Sequence, residues 1–225
     1  MTAGRDDARA HPLGHLDDEV PADVARPRPD LVALVMDCAE ALDRMPDAPT
    51  RCRLALVAGR VAEAIGSPSW SVGLVHRGML YDLSDRPALG TGPARDHGGT
   101  VPPSPVRLSR FPARRRASEG WAFHADLRSA DAAERRLLVA GGHSAAIGAG
   151  GYDPDGRSWV AEVFAASEAR VEHVTPVLAA LVQAALSFPR GAFVPHAEDP
   201  RVLAVLGRPA AVDRPAEALG LGETG

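Results

Sequence analysis

The residues able to do chemistry in this chain are few, and what is missing narrows the choice first. Of the 225 residues none is Lys and none is Asn, so all 25 basic side chains are arginines. Schiff-base chemistry, the phosphate-loop lysine and the lysine of kinase ATP sites are thereby excluded, and so is N-glycosylation. Sulfur is limited to Cys38 and Cys52. That is too little for a disulfide framework or a zinc centre, and both lie in apolar helical patterns that suit buried, reduced thiols. His11 and His15 stand four apart, but Pro12 breaks the helix that would align them, and no metal site is expected. No GxSxG, HExxH or Walker pattern occurs, and Gly148–Gly151 lacks the G-x-G-x-x-G spacing. The acidic residues Asp126, Asp131 and Glu134 read as a loop and a helix cap. No catalytic residue is expected, and the chain is not read as an enzyme.

One run has ligand-binding character: Arg107, Arg110, Arg114, Arg115 and Arg116. Guanidinium forks match carboxylate and phosphate, so an anion clamp is one reading and a solvated face the other. Only Phe111 interleaves the run, and the net charge is −4 with a pI near 6.1, which argues against a nucleic-acid partner. No stretch approaches the ~18 apolar residues a membrane span needs. The start of the chain has no apolar core of a signal peptide. The expectation is a cytoplasmic protein with neither a membrane nor a nucleic-acid partner. The exclusive use of Arg over Lys suits a GC-rich bacterial genome.

Stepping patterns give the elements. Residues 1–28 are charged and Pro/Ala-rich, and are expected to be a disordered tail. After Asp30, Leu31, Val35, Cys38, Leu42 and Met45 step by 4, 3, 4, 3, which predicts a helix. Thr50 is the expected cap of a second helix, ended by Gly66. Ser69–His76 and the return from Met79 alternate as a hairpin about Arg77-Gly78. Residues 84–117 hold ten Pro and Gly residues and predict a long irregular loop. Glu119–Ala125 is a third strand with Trp121 and Phe123 facing inward, and Ser129 is expected to cap the next helix. Ser144–Gly151 and Trp159–Ala166 form a hairpin about Asp153–Gly156, the second being a central strand. A last helix carries Val171, Val174, Leu178, Leu181 and Ala185, with its start marked at Thr175-Pro176. The tail 189–225 is mostly disordered, apart from a short helix before Gly207.

This order, with its antiparallel hairpins, predicts an α+β fold with helices gathered on one face of the sheet. Arg60–Val75 (RVAEAIGSPSWSVGLV), Phe123–Arg136, Gly156–Ala166 and Val174–Leu186 (VTPVLAALVQAAL) resemble the GAF domain family over residues 30–188. The resemblance implies a GAF-like antiparallel sheet packed by the N- and C-terminal helices, with domain bounds 29–188. It also implies a stand-alone sensory or regulatory module that signals as a homodimer to an unidentified regulatory protein in trans. A small-molecule ligand stays open, against a scaffold or interaction domain whose pocket is degenerate.

The family's ligands bind between the sheet and a roof of irregular structure. The Asn-Lys motif for cyclic nucleotides and a roof cysteine for bilins are both missing here. His97 and His124 are the positions an axial haem ligand would need, and no cofactor is expected. The ligand-binding candidates are Trp121, Phe123, His124, His143 and Arg114, with His124 and His143 expected to meet near one rim. The resemblance also implies a dimer seam of Leu31, Val35, Leu42, Val171, Val174, Leu178 and Leu181. Two departures stand out. The strand from His143 to Gly150 is built of small residues where the family is aliphatic. Ala161 and Glu162 stand where the family carries Gly before an apolar pair.

Overall fold

The structure, a computed structural model, describes residues 29–67, 69–86, 105–167, 171–187 and 200–207. The expected tail 1–28, residues 87–104 and most of 189–225, including His97, lie outside the described residues.

Helix α1 (Leu31–Asp43) begins where Asp30 accepts hydrogen bonds from the Val32 and Ala33 amides, satisfying two of the donors a helix start leaves open. It buries Leu34, Cys38 and Leu42. That stripe is rotated from the expected one, because Leu34 rather than Val35 faces inward. Helix α2 (Thr50–Ala64) follows. Thr50 is its first residue and not its cap; it is buried, and its hydroxyl accepts from Arg53 at 3.3 Å. Gly66, at φ 68°, closes α2 as the left-handed residue beyond its end.

The sheet holds six antiparallel strands in the order β3-β2-β1-β6-β5-β4. These are β1 (Ser69–His76), β2 (Met79–Arg86), β3 (Val106–Arg107), β4 (Ala122–Asp126), β5 (Ala145–Tyr152) and β6 (Ser158–Ala165). The pattern SWVAEVFA put β6 at the centre, and it lies between β1 and β5. Its turn is fixed by Asp153, which accepts from the Asp155 and Arg157 amides and from Trp159 Nε1 at 2.9 Å. The β1–β2 turn places Arg77 and Gly78 at φ 51° and 73°, the paired positive angles of a tight I′ turn.

One face of the sheet carries the main core. Val72, Leu74, Tyr81, Leu83, Ile147, Trp159 and Val163 pack there against α1, α2 and helix α5 (Thr175–Ser187). Each such side chain contributes about 1.5–3 kcal/mol on burial. Pro176 sits in the first turn of α5, so it marks the true start of the helix. Arg53 is fully buried and donates to the Ala185 carbonyl at 2.9 Å, a cation at a helix C-terminus. A short helix α6 (Pro200–Leu206) adds Val202 and Val205 to this core.

Three expectations are corrected. First, helices are not confined to one face. A 3-10 turn and helices α3 (Pro112–Ser118) and α4 (Ala132–Ala140) cover the opposite face, through Leu108 of the turn and Ala117 of α3 on Leu80 and Val160, and through Leu138 of α4 on Ala146 and Phe164. Second, the 84–117 stretch is not loop throughout. β2 runs to Arg86, and β3, a 3-10 turn (Leu108–Arg110) and α3 occupy 106–118. Pro112 does not prevent this, because a helix's first position needs no amide donor. Third, α4 is capped by Asp131, which accepts from the Ala133 and Glu134 amides, while Ser129 serves the turn before it.

The implied dimer seam also changes. Leu42, Val171, Val174, Leu178 and Leu181 are buried in the chain's own core, and Leu31 is half-buried against it. Only Val35 of the seven is on the surface. A helix stripe facing its own sheet cannot also face a partner.

Candidate functional site

Strand period decides what enters the space between the sheet and the α3–α4 roof. From β6 it receives Val160, Glu162 and Phe164, because Trp159, Ala161 and Val163 face the terminal helices. Opposite Glu162 in register is Ser71 of β1 on one side and Gly148 of β5 on the other. Phe123 pairs with Gly148. From the roof, α3 turns Arg114, Ala117 and Ser118 inward at a three-then-one spacing, and α4 turns in Glu134 and Leu138.

An ion pair occupies the middle. Arg114 Nε donates to Glu162 Oε1 at 2.7 Å, and the two side chains are 7% and 2% exposed. Ser71 Oγ donates to Glu162 Oε2 at 3.3 Å. The Arg114 guanidinium also lies over the Phe111 ring, 5.2 Å from its centroid, a cation–π contact. Burial works against the charge on Arg114. Glu162 overcomes that, with Asp82 and Glu134 behind it, and holds the guanidinium above its ordinary pKa. Glu134 accepts from the Ala113 amide at 2.8 Å. Burial raises its carboxyl above the usual range, partly opposed by that hydrogen bond.

The small residues of β5 explain how tightly this closes. A Cβ on Gly148 would lie 2.2 Å from the Phe123 ring, and one on Gly150 would lie 2.7 Å from the Ala117 carbonyl of α3. The run AAIGAGGY is therefore small so that a ring and a helix can lie directly on the sheet. The cavity among Arg114, Phe123, Glu134, Leu138, Glu162 and Phe164 has about 10 Å³ of free volume. That is about the least that holds one water, far below the 300 Å³ or more of a ligand site.

The expected ligand residues part company here. Arg114 and Phe123 are brought together in the roof-side space. His143 follows α4 and stacks on Phe164 at 5.1 Å between ring centroids, and burial lowers its pKa. His124 pairs with Ile147 of the helix-side core, so alternation sends it to the opposite face from Phe123 and His143. The two histidines do not share a rim. His124 Nε2 is buried with no hydrogen-bond partner among the described residues. Trp121, expected inward, is 67% exposed. Glu162, Ser71, Asp82 and Glu134 were missed as site residues. The signal for Glu162 was present: it is the one charge in an otherwise apolar or small strand.

The antiparallel sheet with α1, α2 and α5 on one face and a roof on the other is a GAF-like fold. Among solved structures, the chain is similar to the chromophore-binding domain of an unusual bacteriophytochrome from R. palustris, at 13% identity and a TM-score of 0.51, over 69% of this chain and 58% of that one. It is also similar to the chromophore-binding domain of Stigmatella aurantiaca phytochrome P1, at 14% identity and a TM-score of 0.51, over 71% and 60% of the two chains. A phycocyanobilin-bound GAF domain from a cyanobacterial phytochrome matches at 12% identity and a TM-score of 0.48, over 69% and 93%. The chain thus spans about three fifths of the length of the two chromophore-binding domains. No family model and no curated protein matches the sequence. Among the described residues, no helix is long and apolar enough to cross a membrane, and no group of three or more His, Cys, Asp and Glu is placed to hold a metal ion.

Proposed function

We propose that this chain is a regulatory interaction module of GAF type that works through protein contacts, not through a ligand held between sheet and roof. The observation that carries the reading is the Arg114–Glu162 pair, buried with about 10 Å³ left beside it. The protein's own side chains take the place that a ligand would need. Signalling is to a regulatory partner in trans through a homodimer. The surface offered for self-association is the outer face of α1, where Val32 and Met36 are 74% and 65% exposed and Val35 lies between them. Their i, i+3, i+4 spacing makes one stripe, on the side away from Leu34, Cys38 and Leu42. Catalysis has no place in this reading.

Native mass spectrometry of the protein purified from its host tests both parts. The expected spectrum is a dimer of the 23.6 kDa chain without a retained cofactor-sized molecule, and V32E/M36E gives monomer. A stoichiometric organic ligand whose loss accompanies R114M would overturn the filled-pocket reading. A monomer at micromolar concentration would overturn the dimer.

A further inference from the structure

We propose that the outer edge of β4 is where the regulatory partner docks, as an extended peptide strand added antiparallel to the sheet. This names the kind of contact made by the partner in trans, and it rests on the reading above for that partner's existence. β4 is an end strand, with β5 on one side and no strand of the sheet on the other. Such an edge presents backbone donors and acceptors to another chain.

Register shows which groups are open. In an antiparallel ladder alternate residues bond to the neighbouring strand, and those between them point away from it. The Leu127 amide donates to the Ser144 carbonyl at 3.2 Å, and this rung continues the β4–β5 register. Phe123 and Ala125 therefore bond to β5, while Ala122, His124 and Asp126 point outward. Asp126 is satisfied by its own turn: its amide donates to Ser129 Oγ and its carbonyl accepts from the Ala130 amide. The outward backbone groups of Ala122 and His124 have no hydrogen-bond partner among the described residues, which leaves two donors and two acceptors open. The usual devices against edge pairing are missing here. AFHAD holds no Pro, Lys or Arg, and its pairing with β5 has no bulge. The other edge strand, β3, is only two residues long.

Side chains define the strand that fits. Phe123 and Leu127 are half-buried on the roof side, packed on the cluster of Ala125, Leu138 and Phe164, and Trp121 at the start of the strand is 67% exposed. Apolar residues at alternate positions of an added strand lie beside them. Exposed charges bracket the edge, Glu119 before it and Arg128 after it. An antiparallel strand complements them with an acid at its N-terminal end and a base at its C-terminal end. A second copy is the poorer occupant, because two five-residue strands side by side cover far less than the roughly 1,200 Å² that a stable dimer buries.

A ¹⁵N HSQC titration of the full chain with the peptide acetyl-ETVTVTVTR-amide tests this. Its valines suit the roof side, its central threonines face His124 and Ala122, and its end charges meet Arg128 and Glu119. Expected is a saturable shift of the Ala122 and His124 amides. The same peptide N-methylated at its two central threonines should bind at least tenfold more weakly. A122P should also weaken binding at least tenfold and keep the wild-type melting temperature, because its amide carries no ladder bond and proline is tolerated at the first residue of an edge strand. No saturable shift at millimolar peptide overturns the proposal, and so does undiminished binding of the N-methylated peptide or by A122P. Shifts of the two amides that grow with protein concentration alone would overturn it in favour of a second copy. A failed titration leaves the dimer mass and the filled roof-side space untouched, since neither uses this edge.

Discussion

Arg114→Met leaves the Glu162 carboxyl 2% exposed and without its ion-pair partner, with Ser71 the one group among the described residues still donating to it. Removing one partner of a buried ion pair costs about 3–5 kcal/mol, against a total stability on the order of 5–15 kcal/mol for a domain. At roughly 2–4 °C per kcal/mol for a chain of this size, the melting temperature should fall by about 6–20 °C. Because the charges depend on each other, Arg114→Met with Glu162→Leu should recover at least half of the single variant's deficit. Urea unfolding of wild type, both singles and the double gives the coupling energy directly. A deficit under about 1 kcal/mol in R114M, or a double variant whose loss is the sum of the singles, would refute the reasoning.

Other outcomes follow from the same structure. Gly150→Ala places a Cβ 2.1 Å from the Trp159 carbonyl oxygen and 2.7 Å from that of Ala117. Both are backbone atoms that cannot swing aside, so chemical denaturation should show a loss of at least about 1–3 kcal/mol. Burial lowers the pKa of His143, so its contribution is complete above the ordinary histidine range near 6.5 and is lost as pH falls through and below it. H143F should therefore melt with a flatter pH dependence than wild type between pH 7.5 and 5, as scanning calorimetry would show. Burial, with Asp37 beside it, pushes the Cys38 thiol up to about 11. In a thiol titration at pH 8 Cys38 should react only when urea unfolds the chain, and peptide mapping of the alkylated cysteines would show it.

The sequence carried the frame of the fold further than it carried the site. Hairpin punctuation at Arg77-Gly78 and Asp153–Gly156, and the apolar steps along α2, β1, β6 and α5, are local signals, and the structure keeps them. The roof was harder to read because its evidence is not periodic. α3 is seven residues long and its buried face consists of Arg114, Ala117 and Ser118, which no hydrophobic pattern marks. Its arginines read as one basic run, yet the helix sends Arg114 inward and leaves Arg115 and Arg116 out. Whether Arg114 met an external anion or an internal one depended on Glu162, 48 residues away. The weak strand AAIGAGGY looked like a departure from the family pattern. Its meaning lay in what packs on it: Phe123 and the backbone of α3. Trp121 was misplaced because α3 ends just before it, leaving its side chain beyond the cover that Phe123 finds.

A filled space beneath the roof requires the guanidinium of Arg114 to be locked away from solvent against Glu162. Arginine Nε–H resonances in a ¹⁵N-labelled sample report this directly at neutral pH. Those of Arg53 and Arg114 should exchange slowly, with the second absent in R114K and shifted in E162Q. An Arg114 Nε–H that exchanges with water as fast as those of Arg115 and Arg116 would mean that the space beneath the roof is open.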